Sequence, residues 1–160
     1  MQIRCCCGAV LEAKVLEEES PLSFHLRFGC AACANWVTVS GRLDEITPLV
    51  SYRLWSREAH HELERLPPHI APLVRDEVES YAAKEGRVLI TVTVFQEARL
   101  RGKVSWSAAM TQRLANVPET IRSMAKVEIE RMALEQGLSE VTEALMDEAK
   151  AKFLGMRGRT

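Results

Sequence analysis

The stretch Trp55-Ser56-Arg57-Glu58-Ala59, continuing through Leu63 and Pro67 to Gly86 and Thr91, returns later in the chain. It reappears as Trp106-Ser107-Ala108-Ala109-Met110, continuing through Leu114 and Pro118 to Gly137 and Thr142. An offset of 51 aligns residues 55–102 with 106–153 without a gap. Identical residues fill 12 of the 48 positions, against about 3 for unrelated sequence. Conservative pairs such as Leu66/Val117, Arg75/Lys126, Val78/Ile129 and Arg99/Lys150 strengthen the match. The two stretches are copies of one small unit.

Each copy predicts three helices. Ser56 and Ser107 are good N-cap residues, because a short side-chain oxygen can accept a free first-turn N–H. The helix each begins stops before Pro67 or Pro118. The second helix begins near Pro68 or Glu119 and ends at Gly86 or Gly137, glycines suited to the left-handed residue after a helix. In the first copy Pro72 predicts a later start, with the proline as the first helical residue. The apolar residues Ile70, Leu73, Val74, Val78, Tyr81 and Ala82 form one helical stripe, repeated by Ile121, Met124, Ala125, Ile129, Met132 and Ala133. The third helix is contested. Val88, Ile90, Val92 and Val94 alternate like a strand, whereas the partner segment Ser139–Phe153 is helical after Thr142. Copies share a fold, so we predict a helix over Val92–Arg101 capped by Thr91.

Before the repeats lie three β-like segments, Ala9–Leu16, Leu22–Phe28 and Trp36–Leu43, with Glu17–Pro21 as a charged turn. All five cysteines fall here: Cys5, Cys6, Cys7, Cys30 and Cys33. An odd, clustered set argues for metal or thiol chemistry over a disulfide scaffold. Cys5 and Cys7 offer one pair of thiolates and Cys30 and Cys33 the other, with 22 residues between Cys7 and Cys30. Two such loops can surround one tetrahedral ion. The order of knuckle, strand, turn, strand, knuckle and strand resembles a zinc ribbon. The first pair is one residue shorter than the commoner C-x-x-C, so Cys6 is a substitute for Cys5. We expect a structural zinc, ahead of an iron–sulfur cluster, a redox C-x-x-C or unliganded thiols. Some 45 residues bury too little core to fold unaided, and four thiolates leave no open position for a catalytic water.

The remaining features exclude more than they assign. The formal net charge is −1. Residues 1–54 carry five Lys/Arg against six Asp/Glu, the first repeat seven against eight, and the second six against eight. No region has the basic face of a nucleic-acid binder, and Arg157 and Arg159 add little. No Gly-rich phosphate loop occurs. No secretory leader or membrane span is legible, which implies a cytoplasmic protein without membrane partners. His60 and His61 have Thr111 and Gln112 as their counterparts in the second copy, so the histidines read as a solvated surface. Glu77/Glu128 and Glu79/Glu130 read as helix ion-pair residues, for example Glu79 with Arg75. Trp55 and Trp106 cap each unit's core and are the candidates for stacking on a planar ligand. No catalytic constellation is present.

The pattern Trp-Ser-x-x-(Ala/Met), then Leu, Pro, Ile, Glu-x-x-Ala, Gly, Thr and Glu-Ala, resembles the small C-terminal domain of the B subunit of light-independent protochlorophyllide reductase. It runs from Trp55 through Leu63, Pro67, Arg75, Glu79, Ala82, Gly86 and Thr91 to Ala98. It runs again from Trp106 through Leu114, Pro118, Arg122, Glu130, Ala133, Gly137 and Thr142 to Ala149. The resemblance implies a compact three-helix unit, accessory to a nitrogenase-like core that this chain lacks. Reductase activity therefore does not carry over, and tetrapyrrole binding is implied by association alone.

The expected architecture is α+β by segregation. A β zinc ribbon (1–48) precedes an all-α tandem of three-helix units (55–102 and 106–153) that pack together, followed by a tail (154–160). The expected function is a non-catalytic zinc-binding adaptor or regulatory protein with a protein partner. The alternatives are a tetrapyrrole-binding accessory protein and a zinc-ribbon nucleic-acid binder.

Overall fold

A computed structural model of the chain describes residues 1–157. The chain forms two compact units, one comprising Met1–Arg99 and the other beginning at Leu100.

In the first unit, β1 (Glu12–Ser20), β2 (Ser23–Gly29) and β3 (Trp36–Gly41) make an antiparallel sheet in the order β1-β2-β3. Phe24, Leu26 and Phe28 alternate along β2 and are buried, as a strand with one core face requires. On β1 the buried residues Ala13 and Leu16 are three apart. A register shift between Ala13 and Val15 accommodates the extra residue, a bulge that returns Leu16 to the core face. The expected charged turn at Glu17–Pro21 is mostly strand. β1 runs on to Ser20, and only Pro21 and Leu22 turn. Glu17 holds its place in the strand by pairing with Arg27 of β2, at 2.6 Å. A short helix α1 (Leu43–Ile46) and one 3₁₀ turn (Thr47–Leu49) follow, adding Ile46, Leu43 and Leu49 to the sheet's core.

The first repeat follows as β4 (Leu54–Trp55), α2 (Arg57–Glu64), α3 (Ala71–Lys84), β5 (Leu89–Ile90) and α4 (Val92–Leu100). The contested stretch resolves into both expectations. Leu89 and Ile90 pair in parallel with Leu54 and Trp55, and the helix begins at Val92. Thr91 caps it, accepting from the Val94 N–H at 3.4 Å. Pro72 lies second in α3, one place later than predicted, because Ile70 is the cap.

The second unit holds α5 (Ala108–Ala115), α6 (Glu119–Glu135) and α7 (Glu143–Arg157). The last helix takes in the start of the expected tail, and residues 158–160, including Arg159, lie outside the described residues. Both copies end their long helix alike. Gly86 and Gly137 adopt φ of 64° and 71°, and the next N–H, of Arg87 or Leu138, returns to Ala82 or Ala133 at 2.8 Å. That is the Schellman arrangement, which glycine enters without a Cβ penalty.

Three buried clusters organise the described residues. The second repeat has its own, around Ile129, Ala133 and Leu145. The first repeat has another, around Val78, Ile90 and Val94. The sheet's cluster takes in Leu89, with Leu54 and Val88 packed on it, so the cysteine-bearing module shares its core with the first repeat.

Candidate metal centre

The two cysteine loops are built from the backbone outward. An antiparallel bridge between Arg4 and Val10 narrows the first loop. Within it the Cys5 N–H donates to the Ala9 carbonyl at 2.8 Å and the Gly8 N–H to the Cys5 carbonyl at 2.9 Å. Gly8 turns the chain at φ 88°, a conformation glycine adopts freely. The second loop leaves β2 at Cys30 and re-enters at β3. Its Cys30 N–H donates to the Asn35 carbonyl at 2.9 Å, and the Ala34 N–H to the Cys30 carbonyl at 3.1 Å. Here the left-handed residue is Ala34, at φ 59°.

The loops bring together Cys5, Cys7, Cys30 and Cys33, whose Sγ atoms all lie within 4.8 Å of one another. Cys5 faces Cys33 at 3.4 Å and Cys7 faces Cys30 at 3.5 Å. A tetrahedral ion with metal–sulfur bonds near 2.3 Å would place its sulfurs about 3.8 Å apart. The set fits such an ion. Cys6 stands beside it, 3.8 Å from Cys5, and accepts from the Asn35 side-chain amide at 3.4 Å.

The electrostatics of the four thiols point the same way. The Cys7 backbone N–H, and then the Cys33 thiol, lower Cys5 to about 6. Cys30 is lowered by the backbone N–H groups of Cys33 and Ala32. At Cys33 the Asn35 N–H favours the thiolate, but Cys5 and Cys30 outweigh it and push the thiol up to about 12. Cys7 is likewise raised by Cys30 and Cys5 against the Ala9 N–H. Two thiols ionise readily and suppress their neighbours; a cation at the centre removes that conflict and takes all four as thiolates. Such a set fills every tetrahedral position, which suits a structural ion and leaves no place for an activated water.

The tryptophans are tied into the repeats. The Trp55 indole N–H donates to Glu79 at 3.1 Å, and that of Trp106 to Glu130 at 2.8 Å. Arg75 and Lys126 stand at equivalent positions by these glutamates, at 3.6 and 3.9 Å. Trp55 also meets Phe95 edge-on at 6.4 Å between centroids, with the Arg75 guanidinium 5.7 Å over its ring. Glu77 pairs with Arg99, and Glu128 with Arg131 and Lys152.

A family model described as Proto-chlorophyllide reductase 57 kD subunit matches the chain twice, over residues 55–99 and 106–150. The chain belongs to that family. No curated protein and no solved structure gives a significant match. The family's two matches cover the helical repeats and leave the four-cysteine loops outside them.

The remaining histidines lie apart from the cysteines. His60 pairs with Glu64 at 3.2 Å. His60 and His61 line an open groove of about 980 Å³ that Trp55, Arg57 and Leu16 also border. His25 contacts Ser40 at 2.6 Å and Glu19 at 3.3 Å.

One residue of consequence was not visible as such in the sequence. Glu18 accepts from the Ser56 hydroxyl at 2.5 Å and from the Val92 N–H at 2.8 Å. Its carboxylate therefore sits at the start of two helices of the first repeat. Burial raises its pKa, against the two donors. Its one sequence signal, a run of three glutamates, reads equally well as a solvated turn.

Proposed function

We propose that this chain is a non-catalytic binding protein, an adaptor or regulator. In this reading Cys5, Cys7, Cys30 and Cys33 hold one structural zinc, and the duplicated helical units carry the partner-binding surfaces. The observation behind it is the closed set of four sulfurs within 4.8 Å. When bound, zinc would staple the two cysteine loops together at the end of the small sheet. The test is capture on the immobilised, zinc-loaded chain. A partner retained at fixed stoichiometry, and lost with Cys30→Ser, supports the reading. Efficient turnover of a metabolite by the purified chain would overturn it.

The family match favours a second reading, binding of a tetrapyrrole of the protochlorophyllide type, with Trp55 or Trp106 stacking on the macrocycle. Titration with protochlorophyllide decides it: a shifted pigment absorption at micromolar protein supports it, and an unchanged spectrum removes it.

A further inference from the structure

The duplication supplies an internal comparison. In the first repeat, the short parallel pair β4–β5 is covered along its other edge by β1, through a parallel bridge between Leu16 and Ser56. Three residues of β1 hold it there. Leu16 is fully buried. The Glu18 carboxylate takes the Ser56 hydroxyl and the Val92 N–H, while its own N–H donates to Glu58 at 2.9 Å. Glu17 pairs with Arg57. Ser56 and Thr91 are consequently buried.

The second repeat keeps the receiving edge, and among the described residues no strand takes the place of β1. Its parallel bridge, Ser105 with Glu140, is the counterpart at offset 51 of Leu54 with Leu89. Ser107 still caps α5, accepting from the Met110 N–H at 3.3 Å. Yet Ser107 is only half-buried and Thr142 and Glu143 are exposed. Among the described residues no strand pairs along Trp106 and Ser107.

The charges around this edge differ between the copies. Arg57, which meets the acidic β1, is replaced by Ala108, and Glu58 by Ala109. Val92 is replaced by Glu143 and Leu89 by Glu140. An acidic strand would meet two carboxylates here, with alanine in place of Arg57; a basic strand would meet two carboxylates of opposite sign. Unpaired strand edges bind extended segments through main-chain hydrogen bonds, and flanking side chains set the choice.

We propose that the edge at Trp106 and Ser107 binds an extended, lysine- or arginine-bearing strand of a partner protein, parallel to residues 105–107, as the first repeat binds β1. This rests on the adaptor reading and names its partner's chemistry.

The test uses the full chain, zinc-loaded and isotope-labelled, and two peptides spanning residues 11–20. One has the native sequence; the other carries Glu17→Lys, Glu18→Lys and Glu19→Lys. The lysine peptide binds at least about tenfold tighter than the native one, and its amide shifts centre on residues 105–109 and 140–144. Glu140→Lys with Glu143→Lys reverses the preference, and the milder Glu140→Gln with Glu143→Gln abolishes it. The proposal fails if neither peptide binds, if both bind equally, if the native acidic peptide binds better (docking of a second copy's β1), or if the shifts lie elsewhere. If the peptides fail while a stoichiometric partner is still captured, the edge is wrong and the adaptor reading stands. If the lysine peptide binds and no partner is captured, the edge stands and the adaptor reading falls.

Discussion

The Glu18 carboxylate accepts the Ser56 hydroxyl at 2.5 Å and so joins the last third of a strand to the cap of a helix 38 residues later. Ser56 spends its oxygen on the Ala59 N–H at 3.0 Å, as an N-cap does, and its proton on Glu18. With the Val92 N–H added, one side chain orients the first turns of α2 and α4 against the sheet. A negative group at two helix starts also meets the positive ends of both helix dipoles.

Glu18→Ala leaves the buried Ser56 hydroxyl and the Val92 N–H without this acceptor. We expect a loss of about 2 kcal/mol from the first unit, read as a lower urea midpoint for residues 1–99 in hydrogen exchange, with zinc content unchanged. Equal exchange rates in variant and parent would show that Glu18 does not hold the two helix starts.

Two carboxylates give opposite pH signatures. The folded pKa of Glu18 is raised by burial, so its stabilising contribution is full below the ordinary carboxylate value and declines as pH rises through the raised one. Glu128, beside Arg131 and then Lys152, is held down near 2. Its contribution is full above 4.5 and is lost as pH falls toward 2. Glu18→Gln should flatten the first unit's loss above pH 4.5, and Glu128→Gln the second unit's loss below it, in melts followed by site-resolved exchange.

The two Trp–Glu pairs are equivalent in sequence and unequal in burial. The Glu130 side chain is 8% exposed and that of Glu79 is 38% exposed. Removing the indole donor takes a hydrogen bond from a buried carboxylate in one case and from a more hydrated one in the other. Trp106→Phe should cost roughly 2 kcal/mol or more, and the hydrogen-bond share of Trp55→Phe should stay below about 1 kcal/mol. Thermal unfolding of both variants beside Glu130→Gln and Glu79→Gln separates that share from lost packing.

Elemental analysis of the purified chain should find about one zinc. Cys30→Ser and Cys33→Ser should lose it, whereas Cys6→Ser should keep it, because Cys6 stands outside the set of four sulfurs. Metal-free protein from anaerobic purification would overturn the assignment.

Ala34 holds a left-handed conformation with a Cβ, at a cost of about 1 kcal/mol. Ala34→Gly should recover up to about 1 kcal/mol and leave metal binding intact, measured by chelator competition and thermal melts. A lower melting temperature would mean that the methyl group is needed.

Local chemistry made much of this legible before any coordinates. The serine caps, the glycine stops and the threonine cap of the third helix act within a few residues, and duplication showed each of them twice. The cysteine spacing announced the sulfur set, although only folding placed Cys5 in the set and Cys6 beside it. Where the sequence misled, the deciding contact was distant. Glu17 to Pro21 has the composition of a turn, but Arg27 and Arg57 hold Glu17 in a strand.

The sequence by itself thus determined the repeat, its helices and the four candidate ligands, because periodicity, caps and ligand spacing are short-range properties. Tertiary structure alone decided that the first copy closes on the cysteine-bearing sheet and that the second leaves the matching edge uncovered by any strand among the described residues. That difference rests on burying Leu16 and Glu18 against residues some 40 and 74 positions away, and no local pattern encodes it.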